Sequence, residues 1–146
     1  MVNPFQRTLS MFLPEDVDLK RILTDKNLAK FGDSLINFLY SVAKSEVTGE
    51  FCGEKVSDKA LADALRETLL KNETRPRSTV NDLGDAVEAF CAYLWIKQLT
   101  SLEEMVNILI NAINGMALGY HKAEKTAEKC AFKALIELLL AKMEPR

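Results

Sequence analysis

The chain has 146 residues, 48% of them hydrophobic and 27% charged, with a formal net charge of −2. That length fits one domain, residues 1–146, with a full core, and the composition is that of an ordinary soluble globular protein. Nothing global marks a nucleic-acid binder, so contact with RNA or DNA has to come from a local basic patch, or from metal ions that offset acidic residues.

The three cysteines, Cys52, Cys91 and Cys130, are odd in number and far apart, with no CxxC or Cys/His spacing for zinc. They read as free thiols of a reducing cytosol. The chain does not open on the basic, apolar and small-residue zones of a signal peptide. Its longest apolar run, Ala134 to Ala141, is interrupted by Glu137 and is far shorter than the roughly 20 residues a membrane span needs. The expected location is the cytoplasm, with no membrane partner.

In chain order, Met1 to Leu13 reads as an arm or a short helix around Pro4. Pro14, followed by Glu15, Asp16 and Asp18, predicts a short helix over roughly Glu15 to Leu23. Thr24 or Asp25 can cap the next helix, whose apolar residues Phe31, Leu35, Phe38, Leu39 and Val42 keep the helical period as far as the Thr48-Gly49 turn. Phe51 to Val56 is a connector. Ser57 then caps a third helix to about Lys71, which reads as a surface helix because its apolar face is thin. Lys71 to Ser78 is a locally basic loop. The fourth helix starts near Thr79 and carries the stripe Leu83, Val87, Phe90 and Leu94 to about Thr100. Ser101 to Glu104 has the form of a capping box, opening a fifth helix that continues to about Gly119. The last helix holds Ala123 to Met143, with Ala127, Ala131, Ala134, Leu135, Leu138 and Leu139 inward. No stretch alternates as a strand would. The fold class is all-α.

Two short segments echo one another: Phe31-Gly32-Asp33-Ser34-Leu35 and Leu83-Gly84-Asp85-Ala86-Val87. Each sets a Gly-Asp pair inside a helical pattern, with apolar residues two and five positions after the Asp. An ionised Asp on an apolar face must be paired, hydrogen-bonded or metal-bound. Gly costs about 1 kcal/mol against Ala in a helix interior, so its presence points to a close approach. Packed together, the two segments would gather Asp33, Asp85 and Glu88. Asp85 and Glu88 share a helix face because they are three residues apart. Carboxylates so grouped repel unless a cation lies between them. Oxygen-only ligands suit Mg²⁺ or Mn²⁺, which can activate a water against a phosphodiester. On the residues alone, a capping or salt-bridged Asp85 with a solvated Glu88 also accounts for the pattern.

These segments resemble the ribonuclease III family. Lys30-Phe31-Gly32-Asp33-Ser34-Leu35 stands where the family carries Phe-Leu-Gly-Asp-Ala-Val-Leu. Gly84-Asp85-Ala86-Val87-Glu88-Ala89-Phe90-Cys91-Ala92-Tyr93-Leu94 is similar to the family's Ala-Asp-Ala-x-Glu-Ala-Leu-x-Gly-Ala-x-Tyr-Leu. The basic loop with Arg75, Arg77 and Ser78, and the connector Gly53-Glu54-Lys55-Val56-Ser57, are also similar to the family's. The resemblance covers about Leu28 to Ile96. Residues 97–146 match only in being helical.

The resemblance implies a helical endonuclease domain, homodimeric, that uses Mg²⁺ (or Mn²⁺) to cleave double-stranded or structured RNA to 5′-phosphate and 3′-hydroxyl ends. Asp33, Asp85 and Glu88 would be its catalytic metal ligands. Lys71, Arg75 and Arg77 would grip RNA phosphates beside them, as guanidinium groups pair phosphate oxygens bidentately. There are departures. Long-form members have a glutamate four residues before the first Asp, where this chain has Ala29; the mini-ribonuclease III branch also has a small residue there. No double-stranded-RNA-binding domain is expected, and the chain looks most like the small archaeal ribonuclease III-like proteins. Two further readings stay open: a ribonuclease III-fold RNA-binding protein without catalysis, and a helical metal-dependent nucleotide hydrolase acting through the same carboxylates.

Overall fold

The computed structural model describes residues 4–15, 18–116, 118 and 121–143. They form seven α-helices and no strand among the described residues: α1 (Pro4–Ser10), α2 (Leu19–Ile22), α3 (Lys26–Thr48), α4 (Asp58–Arg66), α5 (Val80–Ile96), α6 (Leu102–Ile113) and α7 (His121–Met143), with a 3-10 turn over Leu69–Glu73. The class is all-α, as the periodicity predicts.

Caps set most of the helix ends. The Asp25 side chain accepts from the Leu28 N–H and opens α3, and Gly49, at φ 77°, closes it in the left-handed conformation that a glycine takes without strain. Ser57, Thr79 and Ser101 start α4, α5 and α6 in the same way as Asp25. The complete capping box is at Thr79 and Asp82, whereas the one predicted at Ser101 forms only by half. There the Glu104 carboxylate accepts from Thr100 Oγ1 at 2.7 Å and pairs with Lys142 at 2.9 Å, because α7 brings a lysine within reach.

Four expectations are corrected. The helix expected from Glu15 begins only at Leu19, where Asp18 caps it; residues 16–17 lie outside the described ones. The third helix ends at Arg66 because Thr68 caps a separate 3-10 turn, so the basic loop proper is Thr74 to Ser78. That helix is also no surface element: Ala60, Leu61, Ala62, Ala64 and Leu65 are buried between α5 and α7. In α7, Leu138 is half exposed while Phe132 and Ile136 are buried, since the helix serves two neighbours, α4 and α6, rather than one.

α5 lies at the centre. Its predicted stripe (Leu83, Val87, Phe90, Leu94) is buried, but so are Gly84, Ala86, Glu88, Ala89, Cys91, Ala92 and Ile96. A helix covered nearly all round has to be met by neighbours on several sides, and here they are α3 on one and α4 on another. The α3–α5 seam is the closest. A Cβ at Gly32 would overlap the backbone carbonyl of Glu88, so only glycine lets α3 pass there.

The connector after α3 is held by a ladder of side chains. Cys52 N–H donates to Ser45 Oγ at 3.0 Å, Glu54 N–H to Ser41 Oγ at 2.8 Å and Val56 N–H to Asn37 Oδ1 at 2.9 Å. Residues four apart on a helix lie in a row, and alternate residues of an extended chain face the same way. The two periods match along an antiparallel path. The ladder carries Glu54 to Lys44, Lys55 to Asp33, and Ser57-Asp58 to the start of α4 beside Gly84.

Candidate metal and RNA site

Across the α3–α5 seam the Asp33 and Glu88 carboxyls lie close enough to share a proton. Glu88 is 4% exposed. Burial, the hydrogen bond to Asp33 and the negative charges of Asp33, Asp58 and Asp85 push its carboxyl up to about 9. Asp33 moves the other way: the hydrogen bond from Glu88 and the Lys55 ammonium hold it below its ordinary value. The opposed shifts make Glu88 the side of the pair that favours the proton and Asp33 the side that favours the charge. Asn37 Nδ2 adds a 3.2 Å bond and Lys55 Nζ one of 3.4 Å to Asp33 Oδ1. Asn37 also accepts from Val56, so one amide fixes both the carboxylate and the connector.

Asp85 lies one helical turn before Glu88 and is engaged by a lysine. Lys26 Nζ is 2.8 Å from Asp85 Oδ2 and 3.2 Å from Asp82 Oδ1. The three predicted carboxylates are thus neighbours that have not converged on one point. Among the described residues, no three Asp, Glu, His or Cys side chains stand close enough to share an ion.

A fourth carboxylate joins them. Asp58, in the first turn of α4, presses on Gly84 so closely that a Cβ there would come within 2.8 Å of Asp58 Oδ1, and its charge reaches Glu88. An Asp after a capping Ser reads as an ordinary helix start, so nothing in its local sequence set it apart. Gly84 was the available signal: its close approach is to α4 and not to α3.

Beside the carboxylates is a notch of about 230 Å³, lined by Thr24, Lys26, Arg75, Arg77, Ser78 and Asp82 among others. Arg77 takes φ 63°, a left-handed conformation that costs a non-glycine residue roughly 1–2 kcal/mol. The turn it occupies is closed by Ser78 Oγ donating to the Arg75 carbonyl at 2.6 Å. Arg75 and Arg77 therefore line one notch together with Lys26 and Asp82. Lys71 does not line it and lies exposed on the 3-10 turn.

A family model described as Ribonuclease III matches residues 26–145. The chain belongs to the ribonuclease III family. The match runs well past Ile96, so α6 and α7 are part of the family domain and not merely helical filler. No curated protein matches the chain. Membership in the ribonuclease III family supports a ribonuclease-like function in general terms and RNA as the class of substrate, and members generally use divalent metals. No helix among the described residues is long and apolar enough to cross a membrane. The place of the long-form glutamate is filled by Ala29, which is 3% exposed and packs with Leu28, Ala89, Ala92 and Ile96.

The donor set fits a hard divalent cation. Asp33, Asp85 and Glu88 offer oxygen only, which is Mg²⁺ and Mn²⁺ chemistry. Glu88 is an acid pushed up by burial first and by its carboxylate neighbours second, a shift that a nearby positive charge opposes. A cation already stands at Asp85 in the form of the Lys26 ammonium.

Proposed function

We propose that this protein is a divalent-metal-dependent endoribonuclease that cleaves double-stranded or structured RNA, leaving 5′-phosphate and 3′-hydroxyl ends. The observation that carries this reading is the meeting of Asp33 and Glu88: two acids from different helices, one of them buried, brought together where Gly32 lets α3 press on the Glu88 backbone, beside a notch lined by Lys26, Arg75 and Arg77. Asp33, Asp85 and Glu88 would hold the ion. The chemistry it supplies there is activation of a water and neutralisation of charge on the scissile phosphate. The chain's own groups do the rest. Glu88, its proton passed to solvent water, would hold the ion together with Asp33, while Asn37 keeps the Asp33 carboxylate aimed. Arg75 and Arg77 take flanking phosphates in the notch, and Lys71 contacts the duplex further along its backbone.

The test is cleavage of a long RNA duplex in Mg²⁺ or Mn²⁺. Groups that only support metal ligands commonly cost 10–100-fold when removed, so Glu88→Ala and Asp33→Ala should each lower the rate by more than about a hundredfold. Cleavage that survives both changes would overturn the site.

The same reading makes residues 1–146 one ribonuclease III-like domain working in the cytoplasm, where the three free thiols stay reduced. It also makes the protein a homodimer. The face of α3 turned away from the core carries Phe38, 58% exposed, and with Phe51, fully exposed, it borders a groove of about 790 Å³ that Val42 and Cys52 also line. A second copy is its occupant, since this face continues along α3 to Phe31 beside the site. Phe38→Glu should shift the protein from dimer to monomer in sedimentation, and an unchanged dimer would reject this surface.

A second reading is favoured by Ala29. With an apolar wall where long-form members place a glutamate, a protein that binds structured RNA without cutting it is the alternative. Tight RNA binding with no cleavage at high Mg²⁺ would select it.

A further inference from the structure

Lys26 is placed unlike the other cations of this surface. It is the first residue of α3, set by the Asp25 cap, and its ammonium bridges two carboxylates of α5. One of these, Asp82, is already occupied in the capping box with Thr79, whose N–H it accepts at 3.0 Å. The other, Asp85, has Lys26 as its hydrogen-bond donor at 2.8 Å. The hydrogen bond to Asp85, with help from Asp82, also holds the lysine above its ordinary value, so it remains an ammonium. Lys26 has about half its side chain in water, and the exposure of Asp85 is 32%. Such an ion pair is weak and exchangeable, and the four-carbon stem lets the head swing without moving the helix.

We propose that Lys26 is a tethered cation that competes with the divalent ion for Asp85. The proposal rests on the metal-site reading above and deepens it. In the metal-free protein the ammonium offsets one carboxylate of a cluster of four and so lowers the repulsion a polyanion would meet there. A divalent ion carries twice the charge and displaces it. The released ammonium stays within reach of Asp82, on the wall of the notch formed with Arg75 and Arg77. Lys26 thus raises the ion concentration at which the site fills. It is a positioning residue for Asp85, and no bond is made or broken by it.

The experiment is Mn²⁺ binding to the full-length protein, read by electron paramagnetic resonance of free and bound ion, without RNA and without any activity measurement. Lys26→Met should raise Mn²⁺ affinity about two- to fivefold, the range that an exposed ion pair supports. Lys26→Arg, which keeps the charge, should stay near wild type. Lys20→Met removes the same charge from the neighbouring surface, where Lys20 lines a shallow pocket with Arg21, Glu73 and Arg75, and should change affinity by less than Lys26→Met does. If wild type and Lys26→Met bind Mn²⁺ equally, or if Lys20→Met matches Lys26→Met, the competition is overturned while the metal site stands. If neither wild type nor Lys26→Met binds Mn²⁺, the metal-site reading itself fails, and the inference with it.

Discussion

The two ends of α3 handle buried charge in opposite ways. Towards its C-terminal end, Lys44 sits between Glu54 of the connector and Glu124 of α7, with the Glu124 contact at 2.6 Å. Burial works against the Lys44 charge, yet hydrogen bonds to Glu124 and Glu54 outweigh it and hold the lysine above its ordinary value. That cluster carries its own cation at its middle. Towards the N-terminal end, Asp33 meets Glu88, another acid, and the lysines lie at the margins: Lys55 on Asp33 and Lys26 on Asp85. The first arrangement is finished as it stands and ties three elements together. In the second, burial and the neighbouring Asp33 push the Glu88 carboxyl up. Two clusters on one helix, with the same kinds of residue, thus separate a charge set with a cation at its centre from one whose cations lie only at its margins.

Three changes probe this contrast, from the largest effect on stability to the smallest. Gly32→Ala forces a Cβ into the Glu88 backbone carbonyl, a contact with no flexible end to yield. It should cost at or above the upper end of the roughly 1–3 kcal/mol of an overpacked core, seen as a fall in the denaturant midpoint. A tolerated alanine would mean that the seam is looser than the glycine implies. Lys44→Met should cost about 2 kcal/mol, less than the 3–5 kcal/mol of breaking a fully buried pair because its partners keep some solvent; their side chains are 26% and 31% exposed. A neutral outcome would erase the difference between the two ends.

Glu88→Gln acts mainly on pH dependence. The folded carboxyl sits near 9 against an ordinary 4.5, so between those values the folded chain holds a proton that the unfolded chain has lost. Stability must then fall as pH rises through that window. Asp33, lowered below 3.8, adds the opposite slope only in acid, where its contribution is lost as pH falls. Melting of the metal-free protein from mildly acidic to alkaline pH should show the decline in wild type and a flatter profile in Glu88→Gln. Parallel profiles would remove Glu88 as its source.

Much of this was legible beforehand, for reasons particular residues make clear. Leu83, Val87, Phe90 and Leu94 announced the inner face of α5, and the Gly-Asp echo pointed to the seam at Gly32. Caps at Asp25, Ser57, Thr79 and Ser101 were readable because capping is a local event within four residues. What stayed hidden depended on partners distant in sequence. Ala60 and Ala62 become core only by packing against α5 and α7. The Asn37, Ser41 and Ser45 row takes its meaning only from the connector laid along it. The bearing of Asp58 on Glu88 and of Lys26 on Asp85 exists only after α3, α4 and α5 have met.

Trp95 is the chain's sole tryptophan. Its indole stacks on Phe31 with ring centroids 6.0 Å apart and planes 23° from parallel, so α5 and α3 touch through an aromatic pair two residues before Asp33. Its emission is therefore a native optical gauge of that helix pair, free of any competing indole. Intensity and wavelength should follow any spreading or tightening of the two helices as cations or duplexes are added, with no label introduced.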